Sequence, residues 1–115
     1  MNKYANALLG FVTQIHIYHW QTMKYSDHMA LGGLYDGIHD LADTFMEVYM
    51  GKYERSETGV SSAHLIDYNP VNSLEKINEF EEFLVNCDLP DTDLLNIRDE
   101  MLALVHKTKY LLTLS

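Results

Sequence analysis

The stretch YERSETGVSSAHLIDYNPV, residues 53–71, decides how the rest of the chain can fold, because it is a long connection without a sustained period. It contains Gly59, paired serines and Pro70, which are typical of a connection rather than a helix. Its 19 residues can reach about 60 Å when extended. A helix of about 21 residues is about 32 Å long. The connection is therefore long enough to cross a whole helical bundle.

Helical periodicity flanks this connection on both sides. We predict four helices, which cover residues 3–23, 26–52, 72–88 and 91–113. The short break between the first two makes them an antiparallel hairpin, and Pro90 separates the last two. Ser26 is a plausible N-cap of the second helix, and Asn72 with Glu75 forms a possible capping box for the third.

The inward-facing residues of each helix recur at helical spacing. They are Leu8, Val12, Ile15, His19 and Met23; Leu34, Ile38, Leu41, Phe45 and Val48; Leu74, Ile77, Phe80, Leu84 and Cys87; and Leu94, Ile97, Met101, Leu104, Thr108 and Leu111.

The connection lengths also predict the topology. An up-down-up-down bundle needs only short loops, whereas one long crossover places helices 2 and 3 parallel, as in ferritin-like folds. We therefore predict an all-α single domain, residues 1–115, with a ferritin-like four-helix bundle and a long crossover between helices 2 and 3. The alternative is an ordinary bundle with a long, loose loop.

Composition limits the partners. The chain has 17 Asp and Glu against 8 Lys and Arg, a formal charge of −9, and no basic cluster. Phosphate-backbone binding needs several Lys and Arg contacts, so we expect neither nucleic acid nor an anionic membrane as partner. One cysteine, Cys87, excludes an intramolecular disulfide and a zinc site built on paired cysteines. No apolar run approaches the roughly 20 residues of a membrane span, so we expect a soluble, cytoplasmic protein.

Histidines and carboxylates suggest a metal site. His16 and His19 are one turn apart, a spacing usable for a metal or a proton relay, although a hydrogen-bonded core imidazole is the alternative for His19. Asp36 and His39 form an Asp-x-x-His pair, similar to the Glu-x-x-His motifs that di-iron bundles repeat on a second helix. The other helices do not complete the pattern, so the missing ligands would have to come from a second chain.

The second helix carries an acidic stripe formed by Asp36, Asp40, Asp43 and Glu47. It lies nearly opposite the core line, so a solvated outer face is the alternative to a metal site. Glycines at positions 32, 33 and 37 indicate either close approach of another helix or simple tolerance.

A further hypothesis is Mg²⁺-dependent nucleotide pyrophosphohydrolase chemistry, because Glu79 and Glu82 have a helical spacing suited to magnesium. Asp99 and Glu100 on the last helix are adjacent and diverge, so a second well-spaced pair is missing.

The segment HWQTMKYSDHMALGGLYDG, residues 19–37, resembles the signature of the DNA-protection-during-starvation (Dps) branch of the ferritin-like proteins. The whole chain also resembles small uncharacterised ferritin-like proteins of tailed phages, which would place it in the host cytoplasm. The Dps resemblance implies a ferritin-like bundle with an iron site shared across a dimer interface. Matched position by position, it implies His19, Asp36 and Glu47 as ligands.

The sequence departs from the Dps pattern at two ligand positions, which hold Gly32 and Gly51, and its basic N-terminal tail is reduced to Lys3. His28 and His39 are candidates to substitute for the missing histidine. The resulting hypothesis is that His19, Asp36, His39 and Glu47 bind iron or another divalent metal at a subunit interface of a homodimer or larger homo-oligomer. The competing hypothesis is a non-catalytic structural or interaction protein that keeps the fold without a metal site.

Overall fold

A computed structural model describes residues 2–55 and 64–114, and these residues form four α-helices and no strand. The helices are α1 (Lys3–Gln21), α2 (Tyr25–Lys52), α3 (Pro70–Val85) and α4 (Thr92–Leu111). The all-α class is thereby confirmed for the described part of the chain. Gly59 and the paired serines Ser61 and Ser62 of the predicted connection lie outside the described residues.

Three helices begin one or two residues from the predicted starts: α2 at Tyr25, α3 at Pro70 and α4 at Thr92. The Asn69 side chain accepts a hydrogen bond from the backbone N–H of Val71 at 2.9 Å, so α3 begins at Pro70 and the predicted capping box at Asn72 is wrong. Proline fits this first helical position because its missing N–H would have no helical partner there. The N-cap of α2 is Lys24, which makes no side-chain cap, and Ser26 lies within the helix.

The four helices pack side by side around one core. Helix α1 packs on α2, α2 on α4, α4 on α3, and α3 on α1. Helices α2 and α3 are therefore diagonal to each other. At the start of α1, the Tyr4 ring contacts Phe45 and Tyr49 near the end of α2, and Phe83 near the end of α3. Because both helices end beside the start of α1, they run parallel.

The described ends of the connection between α2 and α3 lie at opposite ends of the molecule. The Tyr53 hydroxyl donates a hydrogen bond to Asp91, at the start of α4. The backbone N–H of Tyr68 donates to the Gln21 side chain at 2.6 Å, at the end of α1. Tyr53, just after α2, and Tyr68, just before α3, therefore lie at opposite ends of the helices.

Most predicted core positions are buried or half-buried, and two are exposed. Met23 is 99% exposed, because α1 ends at Gln21 and Met23 falls in the turn. Leu74 is exposed because Ser73 takes the inward position that leads to Ile77 one turn later. The central buried apolar residues of the four helices are Leu8, Ile15, Tyr18, Leu31, Leu34, Ile38, Ile77, Leu94, Met101 and Val105.

Gly37 lets α2 and α4 approach closely, because a Cβ atom at that position would overlap the Leu104 side chain. The close approach predicted from the glycines therefore occurs here within one chain. None of the described helices is long and apolar enough to cross a lipid bilayer.

Candidate functional site

His19 and His28 form a reciprocal pair where α1 meets α2. Nδ1 of His19 lies 2.8 Å from the carbonyl oxygen of His28, and Nδ1 of His28 lies 2.8 Å from the carbonyl oxygen of His19. The two rings stack with their centroids 3.9 Å apart. Because a carbonyl can only accept, Nδ1 of each ring donates the hydrogen bond. The pair joins the two helices and also satisfies a carbonyl in the last turn of α1.

Aromatic and imidazole rings continue from this pair along the seam between the helices. The His16 ring lies 6.5 Å from that of His19 and stacks on Tyr35 with a centroid distance of 4.0 Å. The Trp20 ring also packs against the His16 ring, with ring centroids 4.1 Å apart. Tyr35 is in turn 5.9 Å from His39. Contacts with neighbouring rings therefore restrain the side chains on this half of the seam.

At His39 the seam opens into an apolar groove with a volume of about 260 Å³. Its walls come from α1 and α2, and the lining residues are Ala5, Leu8, Leu9, Val12, His39, Ala42, Asp43, Met46 and Met50. Methionine side chains are flexible and polarizable, so a groove that contains two of them can adapt to the shape of a bound group.

Large apolar side chains are exposed on α1 and α2: Leu9 lines the groove, Trp20 packs on His16, and Met29 follows His28 on α2. Leu9 is 61% exposed, Trp20 is 67% exposed and Met29 is 56% exposed. Single exposed apolar residues are normal, whereas a continuous group of them marks a binding surface. We call this surface the α1–α2 face and define it by the residues Leu9, His16, Trp20, Met29, Tyr35, His39, Asp43, Met46 and Met50.

The α2 side of this face is acidic. Asp36, Asp40, Asp43 and Glu47 are all exposed on α2. The sequence between Lys24 and Lys52 contains no lysine or arginine. A hydrogen bond with the Asp43 carboxyl raises the pKa of Glu47, as expected for two carboxyl groups that share a proton. The α1–α2 face therefore combines apolar and aromatic groups with a row of carboxyl groups.

The predicted metal ligands do not form a group within one chain. His19 is half-buried and uses Nδ1 for the His28 carbonyl, while Asp36, His39 and Glu47 are exposed on α2. Across residues 2–55 and 64–114, no three or more His, Cys, Asp or Glu side chains are placed to hold a metal. The described donors of one chain thus do not form a site for iron or another divalent cation.

The carboxylates considered for magnesium have other partners. Glu79 forms an ion pair with Lys76 at 3.4 Å, and Asp99 forms one with Arg98 at 2.8 Å. Glu82 is exposed on α3 and Glu100 on α4. Glu75, Glu79, Glu81 and Glu82 line an open surface of α3, but no three carboxylates among the described residues are placed to hold a metal.

The sequence reasoning missed the apolar part of the α1–α2 face. A signal was present, because Leu9, His16 and Trp20 recur at helical spacing and form a second stripe on α1 beside the core stripe. Hydrophobicity alone does not tell which of two apolar stripes is buried.

The fold and this surface define an all-helical protein with an exposed face that is both apolar and acidic. The chain belongs to a family of unknown function, DUF5856, whose sequence profile matches residues 19–112. It is 24% identical over 114 residues to the uncharacterized 14.6 kDa protein in the mobD-ri intergenic region of enterobacteria phage T4. That match covers 98% of this chain and 88% of the phage protein. No solved structure matches the chain.

Proposed function

We propose that this protein is a phage-encoded, ferritin-like four-helix bundle that works by binding another protein through the α1–α2 face, without catalysing a reaction. The ferritin-like assignment is supported by the parallel course of α2 and α3 and by the positions of Tyr53 and Tyr68 at opposite ends of the helices. The phage origin rests on the similarity to the T4 protein. One observation carries the binding function: Leu9, which lines the open apolar groove, and Trp20, which packs on His16 further along α1, are both exposed.

The composition of this face is that of a protein interface. Tryptophan, tyrosine and methionine are enriched at interfaces, where the two aromatic side chains bury a large area for few rotatable bonds and methionine adapts to the partner's shape. Trp20 and Tyr35 both already pack against the His16 ring. These side chains therefore lose little conformational freedom on binding.

The histidines of the same region serve the fold. His19 and His28 hold each other through backbone carbonyls, and this arrangement orients both rings without any ligand. The adjacent carboxyl groups are open to solvent. A binding role therefore uses the exposed apolar and acidic groups of the face, while the histidine pair holds the two helices together.

Site-specific photo-cross-linking tests the proposal. We would replace Leu9 and Trp20 singly with benzoylphenylalanine and use the same replacement of Val85 as the control, because Val85 is 59% exposed at the end of α3. Irradiation in cells of an enterobacterial host is expected to link the same protein to positions 9 and 20 and not to position 85. Equal cross-linking from all three positions, or none from positions 9 and 20, would contradict the proposal.

A metal-linked homodimer is the second candidate. Two copies packed through their α1–α2 faces would bring two acidic stripes together, and a divalent cation would offset the repulsion. The closeness of the Asp43 and Glu47 carboxyls, whose contact raises the pKa of Glu47, favours this candidate, because a cation between two carboxyl groups would offset their repulsion. His19, Asp36, His39 and Glu47 are the proposed ligands, and iron or another divalent metal is the proposed ion.

Light scattering with and without Fe²⁺ or Mn²⁺ separates the two candidates. The metal-linked homodimer predicts dimers only with the cation, and their loss in His39→Ala. His106→Ala is the matched control, because His106 is an exposed histidine on α4 that contacts Glu81. Metal analysis of protein purified without chelator, with an iron titration of wild type and His19→Ala, completes the test. A monomer under all conditions would eliminate this candidate.

A further inference from the structure

We propose that the element that docks on the α1–α2 face is a basic amphipathic helix of the partner protein. Its apolar side would lie in the groove, and its Lys and Arg side chains would face the carboxyl groups of α2. This inference rests on the proposed function and adds the chemistry of the partner.

The shape of the groove suits a helix. The groove runs between two helices, and its α2 wall extends from His39 to Met50, which is about 17 Å along a helix axis. That length matches about three helical turns of a ligand. An amphipathic helix that lays its apolar side into a hydrophobic groove is a recurrent mode of peptide recognition. Met46 and Met50 supply the adaptable surface that this mode uses.

The charge of the surrounding surface selects a basic helix. Asp43 lines the groove itself, and the exposed Asp36, Asp40 and Glu47 flank it on the same helix. The nearest lysine along α2, Lys52, is held by Asp91 and Asp93 at 3.4 and 3.0 Å. These carboxyl groups therefore lack a lysine or arginine from α2 to neutralise them, and a cationic ligand would be attracted.

The same charges disfavour other occupants. A second copy carries a formal charge of −9 and would bring its own acidic stripe against this one. An acidic helix or an anionic lipid surface would be repelled in the same way. Charge complementarity thus favours a basic helix over each of these.

A binding assay with model peptides tests the inference on the full chain. The probes are a fluorescein-labelled amphipathic helix of leucine and lysine, about four turns long, and a leucine–glutamate helix of the same pattern. Fluorescence anisotropy is expected to show binding of the leucine–lysine helix alone. Equal binding of both peptides, or no binding of the leucine–lysine helix, would overturn the inference.

Two pairs of variants test where the peptide binds. Leu9→Ser is compared with Leu74→Ser, because both leucines are exposed but Leu74 lies on α3. Both variants should be folded by circular dichroism, since each replaced side chain is exposed. We expect Leu9→Ser to weaken binding of the leucine–lysine helix at least about fivefold, and Leu74→Ser to change it less than about twofold.

The second pair consists of two double variants, and each of them removes two carboxyl groups from a different part of the surface. The double variant D43N/E47Q acts on the groove, and E75Q/E82Q acts on exposed positions of α3. Both double variants have the same net charge. A difference in their affinity for the leucine–lysine helix therefore reflects where the charges were removed. We expect only D43N/E47Q to weaken binding by about fivefold or more. Equal effects would show non-specific attraction to an acidic protein and would overturn the inference.

The outcomes also separate this inference from the proposed function. If the leucine–lysine helix fails to bind while positions 9 and 20 still cross-link a protein, only the partner chemistry is wrong. If those positions cross-link a second copy of the chain, the face is an interface but its occupant is not a basic helix. If no cross-links form from either position, the proposed function fails as well.

Discussion

The imidazoles of His19 and His28 each reach the backbone carbonyl of the other residue at 2.8 Å, so two side chains at the ends of two helices close the α1–α2 hairpin. Their rings also stack. We expect His19→Ala and His28→Ala to be non-additive in the free energy of unfolding, with a coupling of about 0.5–1.5 kcal/mol. Urea denaturation of both single variants and the double variant measures this coupling. Additivity within about 0.3 kcal/mol would mean that the rings act independently.

Two adjacent glycines in α2 should respond in opposite directions to alanine. A Cβ at Gly33 would meet nothing within 4 Å, so Gly33→Ala should stabilise the protein by about 0.5–1 kcal/mol through helix propensity. A Cβ at Gly32 would lie 2.8 Å from Cε1 of His19, whose ring is fixed by His28, so Gly32→Ala should destabilise it. Thermal unfolding of the two variants is the measurement. A gain in stability for both would contradict the packing of the His19 ring on Gly32.

Gln14 should hold the residues just before α3 against α1. Its side chain is only 4% exposed and makes two hydrogen bonds to Ile66, with Nε2 donating to the carbonyl at 2.8 Å and Oε1 accepting from the N–H at 2.9 Å. Gln14→Leu would leave both backbone groups without these partners, at a cost of about 1–3 kcal/mol. Gln21→Leu is the matched control, because Gln21 bonds Tyr68 at an exposed position where water can substitute. Equal losses of stability in urea would contradict this role of Gln14.

Stability at low pH should depend on Tyr4 and Asp88. A hydrogen bond from the Tyr4 hydroxyl at 2.9 Å, and secondly the Lys3 ammonium, lower the pKa of the Asp88 carboxyl. A carboxyl with a lowered pKa in the folded chain stabilises it above the ordinary aspartate value of about 3.9. That contribution is lost as the pH falls through the lowered pKa. The difference in melting temperature between wild type and Asp88→Asn should thus be present at neutral pH and vanish in acid.

Tyr4→Phe provides the control for that pH dependence, because it removes the hydroxyl and keeps the ring. In the Tyr4→Phe background, Asp88→Asn should have a smaller effect at neutral pH. Burial, followed by the contact with Asp88, raises the pKa of Tyr4 above the tyrosine range. Wild type should therefore also lose stability relative to Tyr4→Phe in strong alkali, as the pH rises towards that raised pKa. An effect of Asp88→Asn that is the same at every pH would contradict this coupling.

Much of the fold could be predicted because periodicity and connection length are local properties of the sequence. The spacing of Ile77, Phe80 and Leu84 indicated the buried side of α3, and all three are buried. The errors lie at helix ends, where neighbouring residues with similar capping ability compete. Asn69 and Asn72 are both good N-caps, and Pro70 decides between them because it suits the first position of a helix.

The candidate site was harder to predict, because its defining contacts join residues on different helices. The sequence indicated that His19 is important, but its partner His28 follows from the geometry of the hairpin. Trp20 and Leu9 could equally have been core residues of an apolar helix. Their exposure follows from the rotation of α1 relative to α2 and α3, which no local pattern specifies.

Competition for cross-linking tests the central claim, that the α1–α2 face binds another protein, most directly. The reporter protein carries benzoylphenylalanine in place of Met29. Three proteins compete with it in excess: wild type, a face variant with Leu9→Ser and Trp20→Ser, and an α3 variant with Leu74→Ser and Val85→Ser. All four replaced residues of the two double variants are exposed. Wild type and the α3 variant should abolish the cross-link from position 29, whereas the face variant should leave the yield of that cross-link unchanged. Equal competition by all three proteins would contradict the claim.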